Sequence, residues 1–206
     1  MDLNTFLWLI PFLVASLVLH ELAHALVATR LGDPTPRDDG RLTLNPVVHL
    51  DPLGTLMFVL TALVSDFIFG WAKPVMVQPR YFRRPQVDMA LVAAAGPATN
   101  FLIALACVGL LVHGDFTGTT FDVLVRAYEV NIVLGIFNLI PIPPLDGSRI
   151  LGAILPQGLY VRWSQLDQVG MLALFGLIFL FNDQFWEVFG EVLARSTDFM
   201  VRIVGG

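Results

Sequence analysis

Two histidines one helical turn apart, with a carboxylate beside the first, occur in the run His20-Glu21-Leu22-Ala23-His24. At ~3.6 residues per turn both imidazoles fall on one face of a helix. Imidazoles at that spacing can bind one Zn²⁺, and a glutamate next to them can exchange a proton with an activated water. The chemistry this arrangement offers is metal-assisted hydrolysis. Its setting is unusual for such chemistry, because the stretch from Phe6 to Leu19 carries no charge. Titratable groups within an apolar segment of that kind are costly and point to function.

Two histidines leave a catalytic zinc short, since such a site takes three protein ligands and keeps one position open. The single cysteine, Cys107, excludes a cysteine zinc site and an internal disulfide, and its apolar surroundings suit a packing role. His113 falls on the opposite side of the chain's topology, as derived below. His49, in Asn45-Pro46-Val47-Val48-His49, is on the correct side and stays an alternative, although a hydrogen-bonded loop histidine is its ordinary reading. The strongest candidate is Asp146, at the end of Asn138-Leu139-Ile140-Pro141-Ile142-Pro143-Pro144-Leu145-Asp146-Gly147. Three prolines remove backbone donors and unwind the end of an apolar helix. Irregular backbone at membrane depth is tolerated where it lines a cavity. Gly147 lets the chain turn directly after the carboxylate.

These groups must be held by elements that lie in a membrane. The 206 residues are 56% hydrophobic and only 14% charged, against about 25% charged in a soluble domain. The net charge of −5 excludes a nucleic-acid partner, which calls for a basic face. The expected fold is an all-α polytopic bundle in one domain over 1–206, with spans near 3–31, 89–112, 121–140 and 166–181. The first segment lacks a basic leader and a cleavage site, so it is expected to be retained. Residues 184–203 place Glu187, Glu191, Arg195, Asp198 and Arg202 at three- or four-residue intervals, which predicts an amphipathic helix. Arg126 and Glu129 are spaced to pair with each other.

Arg30, Arg37, Arg41, Lys73, Arg80, Arg83 and Arg84 lie between the first two spans, and Arg149 and Arg162 follow the third, whereas residues 113–120 have no Lys or Arg. The positive-inside rule therefore puts 32–86 and 141–165 in the cytoplasm, with Asp146 on the same side as His24. The apolar run 53–71 then begins and ends on the cytoplasmic side and is expected to be re-entrant. Short strands are expected at Leu42–Asn45 and Lys73–Val77, either of which could offer an edge to an extended peptide.

Three motifs in this order, HELAH, Ala95-Gly96-Pro97-Ala98-Thr99-Asn100 and Asn138 through Gly147, make the chain resemble the site-2 protease family of intramembrane zinc metalloproteases, over about residues 1–165. It is similar to the small members without a PDZ or CBS domain. The resemblance implies zinc on His20, His24 and Asp146, Glu21 as the catalytic carboxylate, and Asn100 and Asn138 in contact with the substrate backbone. It also implies a membrane-spanning protein substrate, and the expected location is a prokaryotic cell membrane with the active site toward the cytoplasm. The chain departs from better-known members in having no span before HELAH and a long insertion from Asp51 to Pro85. The alternative is a metal transporter or a zinc-binding scaffold. A transporter needs polar groups all along a path through the membrane, whereas here they gather at one depth.

Overall fold

The computed structural model describes residues 3–64 and 70–205. Among the described residues ten α-helices follow in order: α1 (Leu3–Arg30), α2 (Thr35–Asp38), α3 (Pro46–His49), α4 (Pro52–Val64), α5 (Pro85–His113), α6 (Gly118–Asn138), α7 (Asp146–Gly152), α8 (Gln157–Ser164), α9 (Asp167–Leu180) and α10 (Asn182–Gly205). The 21 residues of Ile10–Arg30 in α1 and the 29 of α5 are long and apolar enough to cross a membrane. The α8–α9 pair, bent by 75°, passes the same test when taken as one broken span. α6 has the length of a span but is diluted by Asp122, Arg126 and Glu129. Arg126 and Glu129 pair at 2.7 Å, as their spacing predicts.

α5 is the centre of the bundle and touches α1, α6, α7 and α10. Ala104 and Val108 of α5, Ile132 and Ile136 of α6, and Phe189 and Met200 of α10 form one core. The amphipathic α10 thus lays its apolar face on the bundle, with the Glu191–Arg195 pair on its outer face. A second core, Ala28, Phe82 and Val92, joins α1 to α5. Leu102, Leu172 and Phe179 are left outward-facing, which suits contact with lipid rather than water.

α1 ends at Arg30, ahead of Gly32-Asp33-Pro34. Asp33 N–H donates to Ala28 O and Gly32 N–H to Thr29 O, with Gly32 at φ +108°. That paired arrangement satisfies the last carbonyls and requires a left-handed residue, which glycine supplies most readily.

The short strands expected at Leu42–Asn45 and Lys73–Val77 do not form: among the described residues there is no strand, only one antiparallel bridge between Leu50 and Ala72. The reason lies in where the backbone groups go. Asn45 caps α3 by accepting from Val47 N–H at 3.1 Å, and Pro46 starts that helix, so the first segment turns instead of extending. The second segment has no regular structure, and its backbone groups bond to side chains. Arg41 donates to Lys73 O, Val75 N–H donates to Glu21, and Gln78 N–H donates to Asp33. The run 53–71 begins as α4, whose 13 residues give ~20 Å, short of a ~30 Å hydrocarbon core. Residues 65–69 lie outside the described residues. The two ends of the run meet, because Leu50 bridges Ala72 and Lys73 N–H donates to His49 O at 2.8 Å.

Candidate active site

His20 and His24 project from the middle of α1 onto α5, and both are buried. Their rings lie edge to face with centroids 4.6 Å apart. Asp146 opens α7 after the unwound Leu139–Leu145 segment, and its Oδ2 sits 3.1 Å from His20 Nε2 and 3.4 Å from His24 Nε2. One atom from each of the three lies within 4.8 Å of the others, the one such grouping among the described residues.

Each imidazole is fixed from behind. His20 Nδ1 meets Asn100 Oδ1 at 2.5 Å, and His24 Nδ1 meets Val92 O at 2.7 Å. A carbonyl oxygen only accepts, so both Nδ1 atoms carry the proton and both Nε2 lone pairs face inward. Asp146 Oδ2 is buried, has no hydrogen-bond partner and faces those two nitrogens. Two imidazole nitrogens and a carboxylate oxygen thus converge on one buried point, a donor set that suits zinc.

The neighbouring backbone is shaped to this centre. A Cβ on Gly96 would stand 2.5 Å from Nε2 of both histidines. The absence of a side chain at Gly96 is what lets α5 approach His20 and His24 so closely. A Cβ on Gly147 would strike the carbonyls of Leu139 and Ile140, so the tight turn at Asp146 depends on it. From the far side, Trp163 Nε1 donates to Ser148 O at 2.9 Å, and Arg149 pairs with Asp167, tying α7 to α8 and α9.

Glu21 lines the same cavity, of about 410 Å³, together with His20, His24, Asn138 and Asp146. Its Oε2 accepts from Val75 N–H at 3.1 Å and lies 4.0 Å from Arg41 Nη2. Arg41 is buried and also donates to Val48 O and Lys73 O. Burial pulls its guanidinium below its usual pKa, opposed by the negative charge of Glu21 and then of Asp39. Asn138 donates to Leu134 O of its own helix at 3.0 Å and borders the cavity. Asn100 is fully buried and does not line it: Oδ1 meets His20, and Nδ2 donates to Asn131 Oδ1 at 2.9 Å.

The remaining histidines lie elsewhere. His49 Nε2 meets Thr43 O at 2.9 Å, beneath the loop that Arg41 braces, and His113 Nε2 meets Val204 O at 2.8 Å. A larger apolar cavity of about 640 Å³ between α5, α6, α9 and α10 contains no titratable side chain. Sequence reasoning missed Arg41, the Val75 amide, Ser16 and Asn131. For Asn131 there was a signal, since it precedes Asn138 by two helical turns and shares its face. For Ser16 there was one too, since it lies one turn before His20 on the same face; for Arg41 and the Val75 amide there was none.

A group of side chains that could hold a metal ion, with an adjacent carboxylate, inside a bundle of apolar helices, fits a membrane-embedded metal-dependent hydrolase. Comparison with known proteins makes this specific. Residues 115–181 match the family described as "Peptidase family M50". The chain is 39% identical over 177 residues to "Putative zinc metalloprotease YwhC" of Bacillus subtilis, covering 80% of this chain and 78% of that one. It is 29% identical over 161 residues to "Zinc metalloprotease MJ0392" of Methanocaldococcus jannaschii, covering 74% of this chain but 36% of that longer protein. No solved structure gives a significant match. The chain belongs to peptidase family M50, the site-2 proteases, and so to the zinc metalloproteases that act within membranes.

Proposed function

We propose that His20, His24 and Asp146 hold the zinc and that Glu21 is the general base for cleavage of membrane-spanning proteins. The convergence of the two Nε2 atoms and Asp146 Oδ2 carries this reading. Zinc bound there supplies Lewis-acid polarisation of the scissile carbonyl and brings the pKa of a water toward ~7. Glu21 takes a proton from the attacking water as the new C–O bond forms, then delivers it to the amine nitrogen as the C–N bond breaks. The Val75 amide anchors Oε2 and leaves Oε1 for the proton. Asn138, on the cavity wall, donates to the substrate backbone.

The site lies toward the cytoplasmic side of a prokaryotic cell membrane. Support comes from the clustering of basic segments at one end of the bundle. Gln86, next to Arg83 and Arg84, donates to Gly152 O and Leu155 O just after Arg149. The run 53–71 enters and leaves on that side, consistent with its adjoining ends. The test pairs zinc analysis with cleavage of co-expressed single-span substrates. Glu21→Gln is expected to keep about one zinc per chain and lose cleavage by at least ~100-fold, the scale of a positioned general base. Loss of zinc in that variant, or undiminished cleavage, would overturn the assignment.

A further inference from the structure

Asn131, in the middle of α6, takes no part in the reaction just described, yet it is 2% exposed and bonded at both ends of its amide. We propose that Asn131 is a positioning residue that fixes the tautomer and ring plane of the zinc ligand His20, acting through Asn100. The inference rests on the ligand role proposed for His20.

The bonds form a directed chain across three helices. Asn131 Nδ2 donates to Ala127 O at 2.8 Å and to Ser16 Oγ at 2.9 Å. Asn131 Oδ1 accepts from Asn100 Nδ2 at 2.9 Å, and Asn100 Oδ1 meets His20 Nδ1 at 2.5 Å. A side-chain amide can present either end, and a serine hydroxyl can donate or accept, so neither sets a direction. The Ala127 carbonyl does, because it can only accept. It fixes Nδ2 of Asn131 on its side and turns Oδ1 toward Asn100. Asn100 must then offer Nδ2 to Asn131 and Oδ1 to His20, which places the proton on Nδ1 and leaves Nε2 free for the metal. His24 reaches the same state in one step, from the Val92 carbonyl. Both ligands thus have their tautomer set by a backbone acceptor, His20 through two relayed amides.

Buried amides are costly in an apolar bundle unless fully bonded. Interhelical adhesion alone accounts for a bonded asparagine on α6. It does not account for a chain that ends on the ring nitrogen opposite the metal-facing one, where groups behind a ligand tune its affinity.

The experiment measures zinc affinity by competition with a chelator, and thermal unfolding, on the full chain in detergent. Asn131→Leu keeps the bulk and removes the amide; it is expected to weaken zinc binding by about tenfold or more. Asn131→Asp, held neutral by its apolar burial, keeps an O–H donor for Ala127 O and an acceptor toward Asn100, and is expected to bind within about threefold of the parent. If the leucine chain does not fold, Asn131→Ala carries the same expectation as leucine. A purely structural role predicts lower thermal stability with zinc affinity unchanged, or equal loss of affinity in the leucine and aspartate variants, and either result overturns the proposal. His20→Ala separates the two levels. Zinc retained in that variant defeats the ligand assignment itself, whereas zinc lost there but bound normally by Asn131→Leu defeats only the relay.

Discussion

Gly96 shows how narrow the tolerances are at the metal centre. A methyl added to its backbone would stand 2.5 Å from Nε2 of both His20 and His24. Neither ring can retreat, because Asn100 and Val92 hold their other faces. Gly96→Ala is therefore expected to lower zinc affinity by about 100-fold, the upper end of what disturbance behind metal ligands produces. Chelator competition on the purified chain measures it, and near-normal affinity would show that α5 can shift and that the close approach is incidental. Glu21 has a different dependence. Its orientation rests on one backbone amide and one buried guanidinium, so it is set in part by a segment more than fifty residues away.

That segment, from Trp71 to Gln78, is the element through which the proposed mechanism makes turnover depend on remote contacts. Its amides at Lys73, Val75 and Gln78 are engaged within the chain and Pro74 has none, so Met76 and Val77 remain for an extended substrate. Pairing over a longer stretch requires Glu21 to release Val75. Val75→Pro deletes the donor without a change in hydrophobic character. It is expected to reduce kcat by about tenfold, part of the ~100-fold or more that a positioned base contributes, with zinc near one per chain. Cleavage at the parent rate would exclude the anchoring of Glu21 by this amide. Arg41→Ala is expected to act the same way, since Arg41 holds Lys73 and Val48 in place. A lysine there cannot reproduce the two-pronged contact and should not restore activity. α7 is braced independently by Trp163 and Arg149, so Asp146 is expected to keep its position in these variants.

For the whole molecule, the side of the membrane is the open quantity that charge placement predicts. Single cysteines at Asp38 and Asp115, both exposed, in a Cys107→Ala background are expected to react with an impermeant thiol reagent from opposite faces of the membrane. Labelling of both from one face would refute the topology that carries Asp146 to the side of His24. Much of this plan was legible in the sequence. The helical repeat put His20 and His24 on one face, the glycine after Arg30 ended α1, prolines and a glycine marked the turn at Asp146, and long apolar runs marked α1 and α5. All of these are local signals, read within a few turns of chain. The two strands were misread because alternation in Lys73–Val77 specifies an extended backbone but not its partner, and side chains of Arg41 and Glu21 took the place of a neighbouring strand. The contacts that complete the centre span 54 residues from Val75 to Glu21, 80 from His20 to Asn100 and 115 from Asn131 to Ser16. They depend on how each helix is rotated about its axis. A helix that is apolar all round, as α1 and α5 are, carries no hydrophobic stripe to set that rotation. The sequence by itself determined which groups could bind a metal and along which helices. Only packing of those helices decided which amide stands behind His20, which backbone holds Glu21 and how closely Gly96 approaches both ligands.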